Sequence, residues 1–284
     1  MGLALLPAIL LLALSALWPL LRTLWLAFTD ARFSTLREAH WVGLQNFGTV
    51  LSDPDWWHAV KNTMGFASVS VGLETLIGLG LALALNSTFR GRGALRASVL
   101  IPWAIPAVVS ARMWAWMFND LYGVINSILL SLHMIREPLA WLARDPLPLV
   151  AVILVDVWKS TPFMALLMLA GLQAIPASLH EAARLEGAGA WTIFRRITLP
   201  LLAPTIWIAV IFRTLDALRV FDLPYVLIGN TREHAVISVY ARQQLIEFQS
   251  VGVGSAASIL VFASVGIVIA GYLAVGRKSL GMGG

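Results

Sequence analysis

Six stretches of this chain, residues 3–28, 62–88, 97–118, 147–172, 201–228 and 252–276, are mainly apolar and long enough to cross a bilayer. A crossing helix needs about 20 such residues, because the hydrocarbon core is about 30 Å thick. Composition agrees with that reading. Of the 284 residues, 59% are apolar and 12% are charged, against about 45–50% and about 25% in soluble domains. Too little polar surface is left to clothe a water-soluble enzyme, and a disordered chain is excluded as well. The expected fold class is all-α integral membrane, with six transmembrane helices in one domain spanning residues 1–284. The first stretch has no basic leader and no small-residue cleavage site before Arg22, so it reads as an uncleaved span and not as a signal peptide.

There is no cysteine, and the five histidines lie far apart in sequence. Thiolate, disulfide and metal chemistry are therefore not expected, nor is a bound cofactor. The net charge is +5, and its distribution between loops carries the information. Arg90, Arg92 and Arg96 stand without an acid between spans two and three; Arg184, Arg195 and Arg196 outweigh Glu181 and Glu186; Arg277 and Lys278 follow the last span. The alternate loops are balanced, with Asp120, Arg136, Glu137, Arg144 and Asp145 in one and Arg232, Glu233, Arg242 and Glu247 in the other. Basic loops face the cytoplasm, so a multi-pass protein of the cell (inner or plasma) membrane with both termini cytoplasmic is expected.

Ionisable residues inside spans are costly and mark pathways or buried pairs. Glu74 and Arg112 each stand alone in a span; Asp156 and Lys159 are three residues apart in span four, so the two are expected to pair and neutralise one another. In span five Arg213, Asp216, Arg219 and Asp222 alternate in sign at three-residue spacing, a ladder in which each neighbour can pair with the next. Asp156, Ser160 and Phe163 share a helical face offering an acceptor, a hydroxyl and a ring, as sugar hydroxyls and C–H faces require. Two readings stay open: charges that pair to hold helices together, or a polar lining for a guest.

Residues 176–200, PASLHEAARLEGAGAWTIFRRITLP, are too polar to span and too long for a turn. A helix over 178–185, a break at Gly187 and Gly189, and a second amphipathic helix over 190–198 ending at Pro200 are expected. Such a helix-turn-helix suits docking in a partner's groove; an interfacial helix with arginines at the lipid surface is the alternative. The run Glu181-Ala182-Ala183, Gly187-Ala188 and Ile197-Thr198-Leu199-Pro200 resembles the coupling signature of ABC importer permeases, with Glu186 where the family usually has Asp. WVGLQNF (41–47), IPWAIP (101–106), GVIN (123–126), VWKSTPF (157–163) and RVFDLPYVL (219–227) follow in the order of the larger permease of carbohydrate importers, the maltose- and trehalose-type family. VWKSTPFMALLMLAGL and FRTLDALRVFD are similar to the trehalose-uptake permeases of actinobacteria.

The resemblance implies a subunit of a binding-protein-dependent sugar importer carrying a disaccharide such as trehalose or maltose. It also implies a second homologous permease, two ATPase subunits and an extracytoplasmic sugar-binding protein as partners. Glu181, Ala182, Ala183, Glu186, Gly187 and Ala188 would couple to the ATPases. Trp103, Ala107, Asp156, Trp158, Lys159, Ser160, Phe163 and Asp216 would line the sugar path, whereas the alternating spacing by itself gives Arg213, Arg219 and Asp222 a structural role as a charge ladder. Gly271 to Gly276 followed by Arg277 misses the Lys of a phosphate-binding loop, and no LSGGQ occurs. Mg-ATP is therefore expected on partner subunits. The alternatives are a permease for a phosphorylated or acidic solute such as glycerol phosphate, received by Lys159, Arg213 and Arg219, and an ion-coupled secondary transporter or channel. The latter would be marked by inverted repeats, which the sequence does not display.

Overall fold

The computed structural model describes Leu11, residues 13–87 and residues 90–279. The helices are α1 (Ala13–Leu26), α2 (Gln45–Ser52), α3 (Pro54–Asn86), α4 (Arg92–Ala104), α5 (Ala107–Met117), α6 (Val124–Ser131), α7 (Leu147–Ala174), α8 (Ala177–Leu185), α9 (Ala190–Leu218), α10 (Asp222–Ile228), α11 (Ile237–Arg242) and α12 (Val251–Ser279). Among the described residues the only β feature is an isolated bridge between Thr29 and Trp41. Helices α3, α7, α9 and α12 are long and apolar enough to cross a membrane, and the bent pair α4–α5 makes a fifth if it is one span. Leu76, Phe212, Phe262 and Ile267 on these helices are each more than half exposed, a surface suited to lipid tails or further membrane helices. The first expected span appears as the shorter apolar helix α1; residues 3–10 and 12 lie outside the described residues.

Two of the expected spans are broken. The stretch 97–118 bends by 92° between α4 and α5. Pro106 forces the cause: the residue before a proline is pushed to extended geometry, and Ile105 has φ −73° and ψ 133°. The stretch 201–228 ends as a helix at Leu218, and a new helix begins at Asp222 after Phe221 takes φ −134° and ψ −55°. At its other end the same helix is longer than expected. Pro200 does not close a separate 190–198 helix, because a π-helical turn over Phe194–Thr198 precedes it. Pro200 then falls at the start of the next α-helical stretch, where its missing N–H forfeits no bond. Likewise α3 starts at Pro54, earlier than the expected 62, because Pro54 is also tolerated in a first turn.

The chain divides into two compact units. The first comprises residues up to Asn62 together with Asn230–Ile267. Its core gathers Ala27, Val50, Trp56, Ala59, Ile237, Tyr240 and Ala256. The buried Asn46 amide donates to the carbonyls of Ala27 at 2.9 Å and Thr29 at 2.8 Å. Asp53 works in two directions. Its Oδ1 accepts the Asp55 N–H at 2.9 Å, capping the start of α3, and its Oδ2 accepts the Tyr240 hydroxyl at 2.6 Å.

The second unit comprises Thr63–Gly229 and the chain from Val268 on. Helix α7 is its centre, with α4, α5, α9 and α10 packed on it. Met164, Met168, Leu172 and Leu202 lie in its core. A Cβ on Gly171 would sit 2.6 Å from Thr205 Oγ1, so the close approach of α7 to α9 requires glycine there.

Replacing Asp53 by Ala removes a helix cap, worth about 1 kcal/mol, and a bond to a charged group, worth about 1.5–3 kcal/mol. Burial and the Asp53 carboxylate push the Tyr240 phenol above its ordinary pKa, so its contribution is present below about pH 10 and is lost above it. Asp53→Ala should lower the thermal midpoint of the detergent-solubilised protein by several degrees, and Tyr240→Phe by less. Equal midpoints for Asp53→Ala and wild type would refute the assignment.

Candidate functional site

The break between α4 and α5 frees backbone carbonyls in the middle of a span, where unmet polar groups are costly. Lys159, on α7, supplies the donors: its Nζ donates to the Ile105 carbonyl at 2.5 Å and to the Trp103 carbonyl at 3.3 Å. A cation at the end of α4 is also favoured by the helix dipole. Lys159 therefore has its own partners, and the expected Asp156–Lys159 ion pair is not formed.

Asp156 pairs instead with Arg213 of α9, which is the hub of the unit. Arg213 Nε donates to Glu74 Oε2 at 2.5 Å and Nη2 to Glu74 Oε1 at 3.0 Å, a two-pronged grip across to α3. The same Nη2 donates to Asp156 Oδ2 on α7. Nη1 meets Asp216 Oδ2 on its own helix at 3.5 Å. Glu74, Arg213 and Asp156 are 0%, 3% and 4% exposed, whereas the Asp216 side chain is 76% exposed. Glu74, which stands alone in the sequence of its span, is thus paired. Its partner is 139 residues away, a distance at which no local spacing rule gives a signal.

The four-member ladder does not form as a continuous helical series. Only its first rung, Arg213–Asp216, is an ion pair. The chain leaves the helix after Leu218; Arg219 Nε donates to the Leu215 carbonyl at 3.2 Å, and Asp222 opens α10, where the helix N-terminus favours a carboxylate. Among the described residues neither Arg219 nor Asp222 has an ion-pair partner.

Both helix breaks border one open cavity of about 250 Å³. It is lined by Ala107, by Asp156, Lys159 and Ser160 from α7, by Arg213 and Asp216 from α9, and by the 219–223 turn. Ser160 Oγ lies 3.5 Å from Asp156 Oδ1. Of the sequence-derived candidates, the aromatic ones fall outside this lining. Trp103 stacks on Phe163 at 6.1 Å, and Trp158 packs edge-on to Trp114 at 5.5 Å. Val220 and Phe221 belong to the lining and were not legible as such, because the break in the helix that places them there is a tertiary feature.

At the other candidate site, α8 ends in a hydrogen-bonded cap that explains part of the sequence signature. Gly187 has φ +80°, its N–H donates to the Arg184 carbonyl at 3.0 Å, and the Ala188 N–H donates to the Ala183 carbonyl at 2.9 Å. This is the Schellman arrangement, in which glycine avoids the left-handed penalty of a Cβ. Ala183 is buried, while Glu181, Ala182 and Glu186 are exposed. Leu185 is 90% and Trp191 70% exposed, and Arg184, Arg195 and Arg196 are exposed with the two glutamates, which leaves an apolar knob carrying charges of both signs. His180 Nε2 lies 3.1 Å from Thr198 Oγ1 and ties α8 to the start of α9.

Over residues 75–277 the chain matches the family described as binding-protein-dependent transport system inner membrane component. It is 44% identical over 281 residues to the trehalose/maltose transport system permease protein MalF of Thermococcus litoralis, covering 97% of this chain and 92% of that protein. It is 36% identical to the trehalose transport system permease protein SugA of Mycobacterium tuberculosis, covering 92% and 83%. In fold it is similar to a chain of a bacterial ABC transporter involved in the import of the acidic polysaccharide alginate, with a TM-score of 0.85 at 23% identity and 98% and 94% coverage. The all-helical architecture, the charged cavity at two broken spans and these likenesses agree: the chain belongs to the inner membrane components of binding-protein-dependent transport systems, the permease family of ABC importers.

Proposed function

We propose that this permease carries a neutral disaccharide, such as trehalose or maltose, into the cell. The observation that carries the reading is the cavity at the two broken spans, in a chain 44% identical to a trehalose/maltose permease. Sugar hydroxyls donate to carboxylates, and Asp216 offers an exposed one; each such bond is worth about 1.5–3 kcal/mol. The cavity of about 250 Å³ is smaller than the usual ligand pocket of about 300–1,000 Å³. A second, related permease facing it supplies the rest of the site.

In this reading both termini and the α8 knob are cytoplasmic, and the knob sits in a groove of a partner ATPase that binds Mg-ATP. An extracytoplasmic binding protein delivers the sugar. Helices α7 and α9 flank the knob, and each carries part of the charge cluster. Motion of the knob therefore reaches Arg213 through continuous helix, about 35 Å along α9 at about 1.5 Å per residue, and reaches Asp156 through its bond to Arg213. A phosphorylated or acidic solute is a poorer match, because Arg213 and Lys159 already serve carboxylates and carbonyls of this chain.

The test is sugar-stimulated ATP hydrolysis and uptake by the assembled complex in proteoliposomes. Asp216→Asn should raise the half-saturating sugar concentration about tenfold with assembly intact; an unchanged value removes Asp216 from the site. Asp156→Ala strips a carboxylate from a buried arginine, a loss of about 3–5 kcal/mol, and should lower the thermal midpoint. Adding Lys159→Ala should not restore it, and recovery in that double variant would contradict the separate partners of Lys159. At the knob, Glu181→Lys and Gly187→Asp should leave the protein inserted and assembled while the ratio of sugar moved to ATP hydrolysed falls. Wild-type coupling in both variants would refute the docking role.

A further inference from the structure

The cavity lining is balanced in charge. Asp156, Asp216 and Asp222 stand against Lys159, Arg213 and Arg219. Glu74 is outside that lining, fully buried, and bound through both oxygens to Arg213. It tips the formal charge in and next to the cavity to negative.

A buried ionic cluster is weak evidence for stability, since apolar residues of similar volume often serve as well. Placed at membrane depth, it marks a working site. The geometry says what Glu74 does there. By occupying Nε and one Nη2 position of Arg213, it leaves the remaining guanidinium hydrogens for Asp156 and Asp216. Arg213 is thereby turned inward toward carboxylates of its own chain, and its charge is answered before a solute arrives.

We infer that Glu74 is a positioning residue that sets the charge selectivity of the cavity, holding Arg213 so that the site accepts a neutral polyol and refuses an anion. The inference rests on the proposed sugar site. Without the Glu74 charge, Arg213 keeps a donor edge unanswered and the cavity becomes neutral overall. A unit charge within about one side-chain length, at an effective dielectric of about 20, is enough to alter relative affinities tenfold or more.

The experiment compares trehalose with trehalose 6-phosphate, the same sugar bearing an anion, as stimulant or competitor of the reconstituted complex. In Glu74→Gln the half-saturating trehalose concentration should rise about tenfold, at little change in maximal rate. Trehalose 6-phosphate, ineffective on wild type, should begin to compete. Glu74→Asp, which keeps the charge on a shorter arm, should keep wild-type charge selectivity with a rise of only about threefold. If Glu74→Gln retains the wild-type preference while Asp216→Asn weakens trehalose, the role given to Glu74 is wrong and the site stands. If both variants match wild type, the site itself is wrong and the inference falls with it. Should Glu74→Gln fail to assemble, Glu74→Asp decides, and an unchanged half-saturation there overturns the inference.

Discussion

The second unit depends on one guanidinium in a place where charge is expensive. Arg213 binds Glu74 on α3, Asp156 on α7 and Asp216 on its own helix. Removing two or more ions from water costs several kcal/mol each, and only close pairing with further hydrogen bonds offsets it. The cluster meets that condition by geometry: a planar fork with five donors serves three carboxylates at once. A lysine could not, having one point of charge and no fixed fork. Three helices distant in sequence are thus held at a common depth by the one side chain able to reach all of them.

The same economy of polar groups explains the broken spans. A helix interrupted inside a membrane is tolerated only where its freed backbone groups find partners or line a cavity. At Ile105 the partner is Lys159; at 219–221 the chain lines the cavity itself. The charged residues of spans four and five therefore do not form two separate sets. One cation mends the break of a neighbouring span, and the other gathers the carboxylates.

Connection between cavity and knob is a matter of continuity. Pro200 alone would have interrupted α9, and the π-helical turn before it keeps the rod whole from Ala190 to Leu218. The His180–Thr198 contact and the capped end of α8 make the knob a defined body and not a loose loop.

Much of this was already present in the order of residues. The length and apolarity of the stretches fixed a helical membrane protein, because hydrocarbon thickness and helix rise leave little choice. The α8 helix and its glycine turn were legible because capping is local chemistry, written within a few residues. The run from Glu181 to Pro200, and the shorter motifs along the chain, carried the family. What tertiary structure alone decided was partnership. Asp156 and Lys159 are three residues apart and look like a pair, yet one faces Arg213 and the other the carbonyls of α4. Arg219 and Asp222 look like rungs, yet a break separates them. Spacing along a chain predicts contacts only while the helix continues. Which charge meets which across helices depends on how α3, α4, α7 and α9 pack, and that is set by side chains far apart in sequence.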